Sequence, residues 1–229
     1  MFASIFRMSP VPAARPLLAR LCTIVAACAM CCGVWPSTAV AVESSAPGLL
    51  VLGDSISAEY GLQRDTGWVR LLDARLKEQH FPYTVVNASI SGETTSGGLA
   101  RIDELLKRIK PAIVIVELGG NDALRGLDLA TTQKNLDAIV TRSQAAHAAI
   151  LIVGMQIPPN YGKAYGDRFA AIFTTTAKAH KTALTPFFFA GFADRLDLFQ
   201  PDRIHPTAEA QQRLLDNVWP DLKPLLKAR

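Results

Sequence analysis

The stretch Ile113-Val114-Ile115-Val116-Glu117-Leu118 constrains the fold more than any other feature of the chain. Its apolar residues do not alternate with polar ones, so a strand there must be covered on both faces, as strands are in a parallel sheet held between helices. Four more short apolar runs, 49–52, 84–87, 150–155 and 184–188, alternate with longer segments of helical period. Leu72 and Leu76 fall on one face of a helix over 68–79, and Ile102, Leu105, Leu106 and Ile109 recur at three- and four-residue spacing over 99–110. Segments 130–147 and 165–181 predict further helices, and Pro206-Thr207 opens a last one over 208–218. This alternation predicts βαβ units. With five strands, the expected architecture is α/β: a flavodoxin-like three-layer α/β/α sandwich around a five-stranded parallel sheet. No repeat, low-complexity linker or charge block divides the chain beyond residue 42, so 42–229 is expected to be a single domain.

Residues 1–41 have a different character. Arg7, Arg15 and Arg20 precede the apolar stretch 21–35, and Ala39-Val40-Ala41 follows it. This pattern predicts a secretory signal peptide cleaved after Ala41. The apolar run falls short of the roughly 20 residues that a membrane span needs. An uncleaved anchor is one alternative. Another is a lipoprotein, because Val25-Ala26-Ala27-Cys28 resembles a lipobox and would lipidate Cys28. Intact mass separates a chain starting at Val42, periplasmic or secreted, from a lipid-modified one starting at Cys28. All four cysteines lie in this segment, so the remaining 188 residues would carry neither a disulfide nor a cysteine-ligated metal. The basic excess lies there too. Beyond residue 41 there are 21 basic and 20 acidic side chains, and no Lys/Arg cluster is interleaved with aromatics, which argues against a nucleic-acid partner. Hydrophobic residues at 49% and charged residues at 19% imply a packed core rather than a disordered chain.

In a doubly wound sheet, ligands bind beyond the carboxyl ends of the strands. Gly53-Asp54-Ser55-Ile56-Ser57 follows the first strand, Asn87-Ala88-Ser89-Ile90-Ser91-Gly92-Glu93-Thr94 the second, and Gly119-Gly120-Asn121-Asp122 the third, while Asp202-Arg203-Ile204-His205 stands near the C-terminus. Taken singly, such residues read as helix caps or polar turns. Their combined chemistry is more specific. A serine hydroxyl attacks only when a base within hydrogen-bond reach takes its proton, and that base must itself be oriented. Asp202 and His205 on one turn can supply the pair for Ser55. Acyl transfer also needs donors for the developing oxyanion, and the Ser55 and Gly92 N–H groups and the Asn121 side-chain amide are candidates. Asp54 and Asp122 read as bracing groups, and His80, His147 and His180 as residues near helix ends. Neither a zinc-protease spacing nor a nucleophile elbow of the G-x-S-x-G kind is present.

GDSIS, the glycine of SGET, GGND and DRIH resemble, in order and spacing, the four signature blocks of the SGNH (GDSL) hydrolase superfamily. NASISGETT, VELGGNDALRG and PPNYG resemble more closely the bacterial secreted multifunctional acyl thioesterases and lysophospholipases. The resemblance implies Ser55 as nucleophile, His205 as base, Asp202 as its partner, and Gly92 and Asn121 as oxyanion donors, with no metal or organic cofactor. The expected activity is hydrolysis of carboxylic esters and thioesters. A carbohydrate O-deacetylase on the same frame, or a non-catalytic flavodoxin-like binding protein, are the alternatives. Leu124 and Leu127 after the third strand, with Ile157, Pro158 and Tyr161 after the fourth, are expected to form an apolar acyl groove. The partner is then a small acyl substrate, with membrane contact only through lipid substrate unless Cys28 is lipidated.

Overall fold

A computed structural model describes residues 46–227. The proposed leader and its cleavage site lie outside them. Five strands, β1 (Gly48–Gly53), β2 (Thr84–Asn87), β3 (Pro111–Glu117), β4 (Ala149–Val153) and β5 (Ala183–Thr185), form one parallel sheet in the order β2-β1-β3-β4-β5. This is the flavodoxin-like order, with its topological switch between β1 and β3. Leu49 to Leu52 of β1 and the apolar run of β3 are buried, as the missing polar alternation requires.

The helices are α1 (Trp68–Glu78), α2 (Thr95–Ile109), α3 (Gly120–Leu124), α4 (Leu129–Ala145), α5 (Lys163–His180) and α6 (Gln211–Leu222). α1 packs with α6 on one side of the sheet, and α2, α4 and α5 pack successively on the other. Local signals set their starts. The Thr94 hydroxyl accepts from the Gly97 N–H, and the Asp128 carboxylate accepts from Ala130 and Thr131, so each satisfies donors that the first helical turn leaves unpaired. α1 lacks a side-chain cap of its own; the Gln211 amide oxygen accepts from the Trp68 N–H at 3.0 Å, tying α6 to the start of α1.

Three differences from the expected elements have physical causes. β5 stops at Thr185 rather than Phe188, because Pro186 carries no N–H for the ladder. Phe187, Phe188 and Phe189 instead turn into an aromatic cluster, where the Phe188 ring meets Trp68 edge-on at 5.5 Å. The last helix begins with a 3₁₀ turn (Ala208–Ala210) before α6 and extends past Val218 to Leu222, accommodating Pro220 near its end. The short α3, directly after β3, has too few residues to show a period.

Candidate active site

β1 delivers the chain to the switch point at Gly53. A Cβ there would stand 2.7 Å from Glu117 Oε2 and 2.8 Å from Ser57 Cβ, so only glycine fits between β1 and β3 at this level. The next residues coil at once: Asp54 Oδ1 accepts from the Ile56 N–H at 3.1 Å, and the Asp54 carbonyl accepts from the Ala58 N–H at 2.9 Å. Ser55 sits at the start of this turn, 9% exposed.

The base arrives on a separate hairpin. Phe199 and Pro206 form an isolated antiparallel bridge, and the Gln200 N–H donates to the His205 carbonyl at 2.8 Å. At the tip, Asp202 Oδ1 accepts from the Ile204 and His205 N–H groups at 2.9 and 3.0 Å, while Oδ2 lies 2.7 Å from His205 Nδ1. Partial burial raises the Asp202 carboxyl, but the His205 and Ile204 N–H groups and the His205 ring outweigh it, leaving the group below the ordinary carboxylate range. An ionised Asp202 only accepts hydrogen bonds, so Nδ1 is the donor, and Nε2 is free to accept the Ser55 hydroxyl proton. Nε2 lies 2.8 Å from Ser55 Oγ. The Tyr60 ring covers the imidazole, with centroids 4.4 Å apart.

Across from Ser55 stand the strand ends of β2 and β3. Gly92 has φ +78°, a conformation that side-chain-bearing residues rarely adopt. The Asn121 amide nitrogen donates to Asp54 Oδ2 at 3.1 Å, which occupies one of its two hydrogens. Neither the Ser55 nor the Gly92 N–H donates to a protein acceptor among the described residues. Ser55, Gly92, Asn121, Asp202 and His205 all line one cavity of about 870 Å³.

Leu124, Ile157, Pro158 and Tyr161 line the same cavity, together with Met155 and Phe189. The Tyr161 hydroxyl donates to the Leu124 carbonyl at 3.3 Å, so the segments after β3 and β4 do face each other. Leu127 does not belong to this wall. The chain reverses at Gly126, the Leu127 N–H returns to the Asp122 carbonyl at 2.9 Å, and the Leu127 side chain is left 43% exposed beside the start of α4.

Residues 51–213 match the model of the GDSL-like lipase/acylhydrolase family. The chain belongs to this family. It is 50% identical over 184 residues to esterase TesA of Pseudomonas aeruginosa, across 80% of this chain and 92% of that one. It is 40% identical over 183 residues to an Escherichia coli protein named thioesterase 1/protease 1/lysophospholipase L1, across 80% of this chain and 86% of the other. A crystal structure of TesA superposes with a TM-score of 0.77 at 51% identity, covering 78% of this chain and 99% of that one. All five residues gathered at the cavity fall inside the matched segment.

Behind the candidate site lies a buried polar network that neither periodicity nor motif reading identified. Glu117 Oε2 accepts from Ser57 Oγ at 2.7 Å and from the Asp54 N–H at 3.3 Å, and Ser57 Oγ accepts from the Trp68 indole N–H at 3.1 Å. Burial raises Glu117 well above its ordinary range, and the neighbouring Asp54 charge adds to this. Burial also raises Asp54, from 3.8 to about 6, against the lowering effects of the Ile56 N–H, His205 and Asn121. A carboxyl raised in the folded state keeps its proton where the unfolded chain has lost it, so stability falls as pH rises. For Asp54 the loss runs from about 3.8 to about 6; for Glu117 it starts near 4.5 and continues higher. Glu117→Gln keeps an acceptor for Ser57 and Asp54 but removes the ionisation. Its melting temperature relative to the parent should therefore climb over the interval above about pH 4.5 in which the folded parent still keeps the Glu117 proton. A difference that stays flat over that interval means Glu117 does not keep its proton in the fold.

Proposed function

We propose that this acylhydrolase cleaves carboxylic esters and thioesters of aliphatic acyl groups through an acyl-serine intermediate. His205 Nε2 takes the Ser55 hydroxyl proton as Oγ attacks the acyl carbonyl carbon. Asp202 holds the imidazole and stabilises the imidazolium that forms. The Ser55 and Gly92 N–H groups and the Asn121 amide receive the oxyanion. The tetrahedral intermediate collapses, His205 passes its proton to the departing alcohol or thiol, and the acyl group remains on Ser55. Water, deprotonated by the same imidazole, then releases the carboxylic acid and restores the serine.

The observation that carries this reading is the 2.8 Å approach of Ser55 Oγ to His205 Nε2 at the edge of a cavity walled by apolar side chains. Such a wall binds a chain by area rather than by directed hydrogen bonds, and each buried methylene is worth about 0.8 kcal/mol, at most a factor of about four. On p-nitrophenyl esters, kcat/KM should rise at least about tenfold from acetyl to hexanoyl. An acyl-CoA thioester and a lysophospholipid of matching chain should both be cleaved, in keeping with the names of the relatives. Activity confined to acetyl esters and acetylated sugars would instead make the protein a carbohydrate deacetylase. The place of action we infer is outside the cytoplasm, on the strength of the basic, apolar and A-x-A pattern of residues 1–41.

A further inference from the structure

Arg125 stands one helical turn after Asn121, at the end of α3, and is exposed to solvent. An exposed arginine usually wanders or pairs with a surface carboxylate. Arg125 instead bonds backbone and amide oxygens: its Nη2 donates to the Gly92 carbonyl at 2.9 Å and stands 3.5 Å from Asn121 Oδ1. A Cβ placed on Gly92 would lie 3.2 Å from the same nitrogen. Among the described residues, its hydrogen-bond acceptors are these two oxygens and no carboxylate. One guanidinium thus spans the loop after β2 and the helix α3 after β3, reaching both proposed oxyanion residues besides Ser55.

Each contact specifies something the hole needs. Gly92 is the residue type that fixes its own backbone least, so a tie on its carbonyl removes freedom at the Cα that joins this peptide plane to the one carrying its N–H. Asn121 could present either oxygen or nitrogen to the cavity. Asp54 Oδ2 accepts on one side of the amide, and the Arg125 guanidinium, which can only donate, faces the other. Both partners demand the same orientation, with Nδ2 carrying one hydrogen to Asp54 and leaving the second for the cavity. The positive charge near Oδ1 also polarises the amide toward stronger donation.

We propose that Arg125 is a positioning residue for the oxyanion hole: it locks the Gly92 backbone and the Asn121 amide in the donating geometry before substrate arrives. The inference rests on the reading of Gly92 and Asn121 as oxyanion donors. A preorganised donor acts on the transition state more than on bound substrate, so Arg125→Met should lower kcat on p-nitrophenyl butyrate about 10- to 50-fold while KM moves less than about threefold. Arg125→Lys, which keeps a donor on a shorter and freely rotating head, should fall between the parent and Arg125→Met. Millimolar guanidinium should restore part of the activity of Arg125→Ala. Because Arg125 acts through Asn121 and Gly92, Arg125→Met should cost clearly less in an Asn121→Ala background, at most about threefold. Retention of kcat within about twofold in Arg125→Met overturns the proposal, as does a loss that multiplies in full onto Asn121→Ala. Should Arg125→Met fail to fold, the kcat and KM of Arg125→Lys decide in the same way. If Asn121→Ala alone leaves kcat intact, the reading of Asn121 as an oxyanion donor fails, and this proposal with it.

Discussion

Ser55→Ala is expected to lower kcat by at least about 10⁴-fold, His205→Ala by a similar factor, and the double substitution to be little worse than either. The non-additivity carries the mechanistic content. Ser55 Oγ and His205 Nε2 lie 2.8 Å apart and share one proton, so removing either partner abolishes the same step. Asp202→Ala should cost less, since the His205 backbone is also held by the Gln200 N–H and its ring by Tyr60. Steady-state kinetics on a p-nitrophenyl ester, with circular dichroism to verify folding, read these effects. A Ser55→Ala protein that keeps more than about a tenth of the parent kcat removes Ser55 as nucleophile. Losses that multiply in the double variant would show that the two side chains act in separate steps.

What the chain reveals before folding is governed by how local the physics is. The apolar run of β3 and the three- and four-residue spacings of α1 and α2 report burial directly, so the sheet and its flanking helices follow from them. That Ser55, Asp202 and His205 come together was equally legible, because a hydroxyl, an imidazole and a carboxylate complement one another chemically. Contacts between distant segments left weaker traces. Gln211 reaches Trp68 across 143 positions, and Arg125 reaches Gly92 across 33; nothing in either neighbourhood encodes the other end. Glu117 did leave a sign: a lone carboxyl closing a strand otherwise buried on both faces calls for partners, which proved to be Ser57 and the Asp54 N–H. Leu127 was misplaced because the acyl wall was drawn from sequence adjacency, whereas the reversal at Gly126 turns the side chain away.

The buried Asp54 carboxyl meets the proposed oxyanion donors at Asn121, where the second large effect is expected. Asp54 holds the Asn121 amide through one hydrogen at 3.1 Å, leaving the other toward the cavity that Ser55 and Gly92 also line. A neutral carbonyl oxygen gains little from such a donor, whereas the tetrahedral oxyanion gains a great deal, because the donor is fixed in place beforehand. Asn121→Ala should therefore lower kcat by about 10² to 10³ with KM nearly unchanged. Asn121→Asp should do no better despite its similar size, because its carboxylate would face both the developing oxyanion and Asp54. Affinity for a phosphonate that mimics the tetrahedral state should fall in parallel with kcat across these variants. A change confined to KM in a correctly folded Asn121→Ala protein would reassign the residue to substrate binding, and the oxyanion would then rest on the Ser55 and Gly92 N–H groups alone.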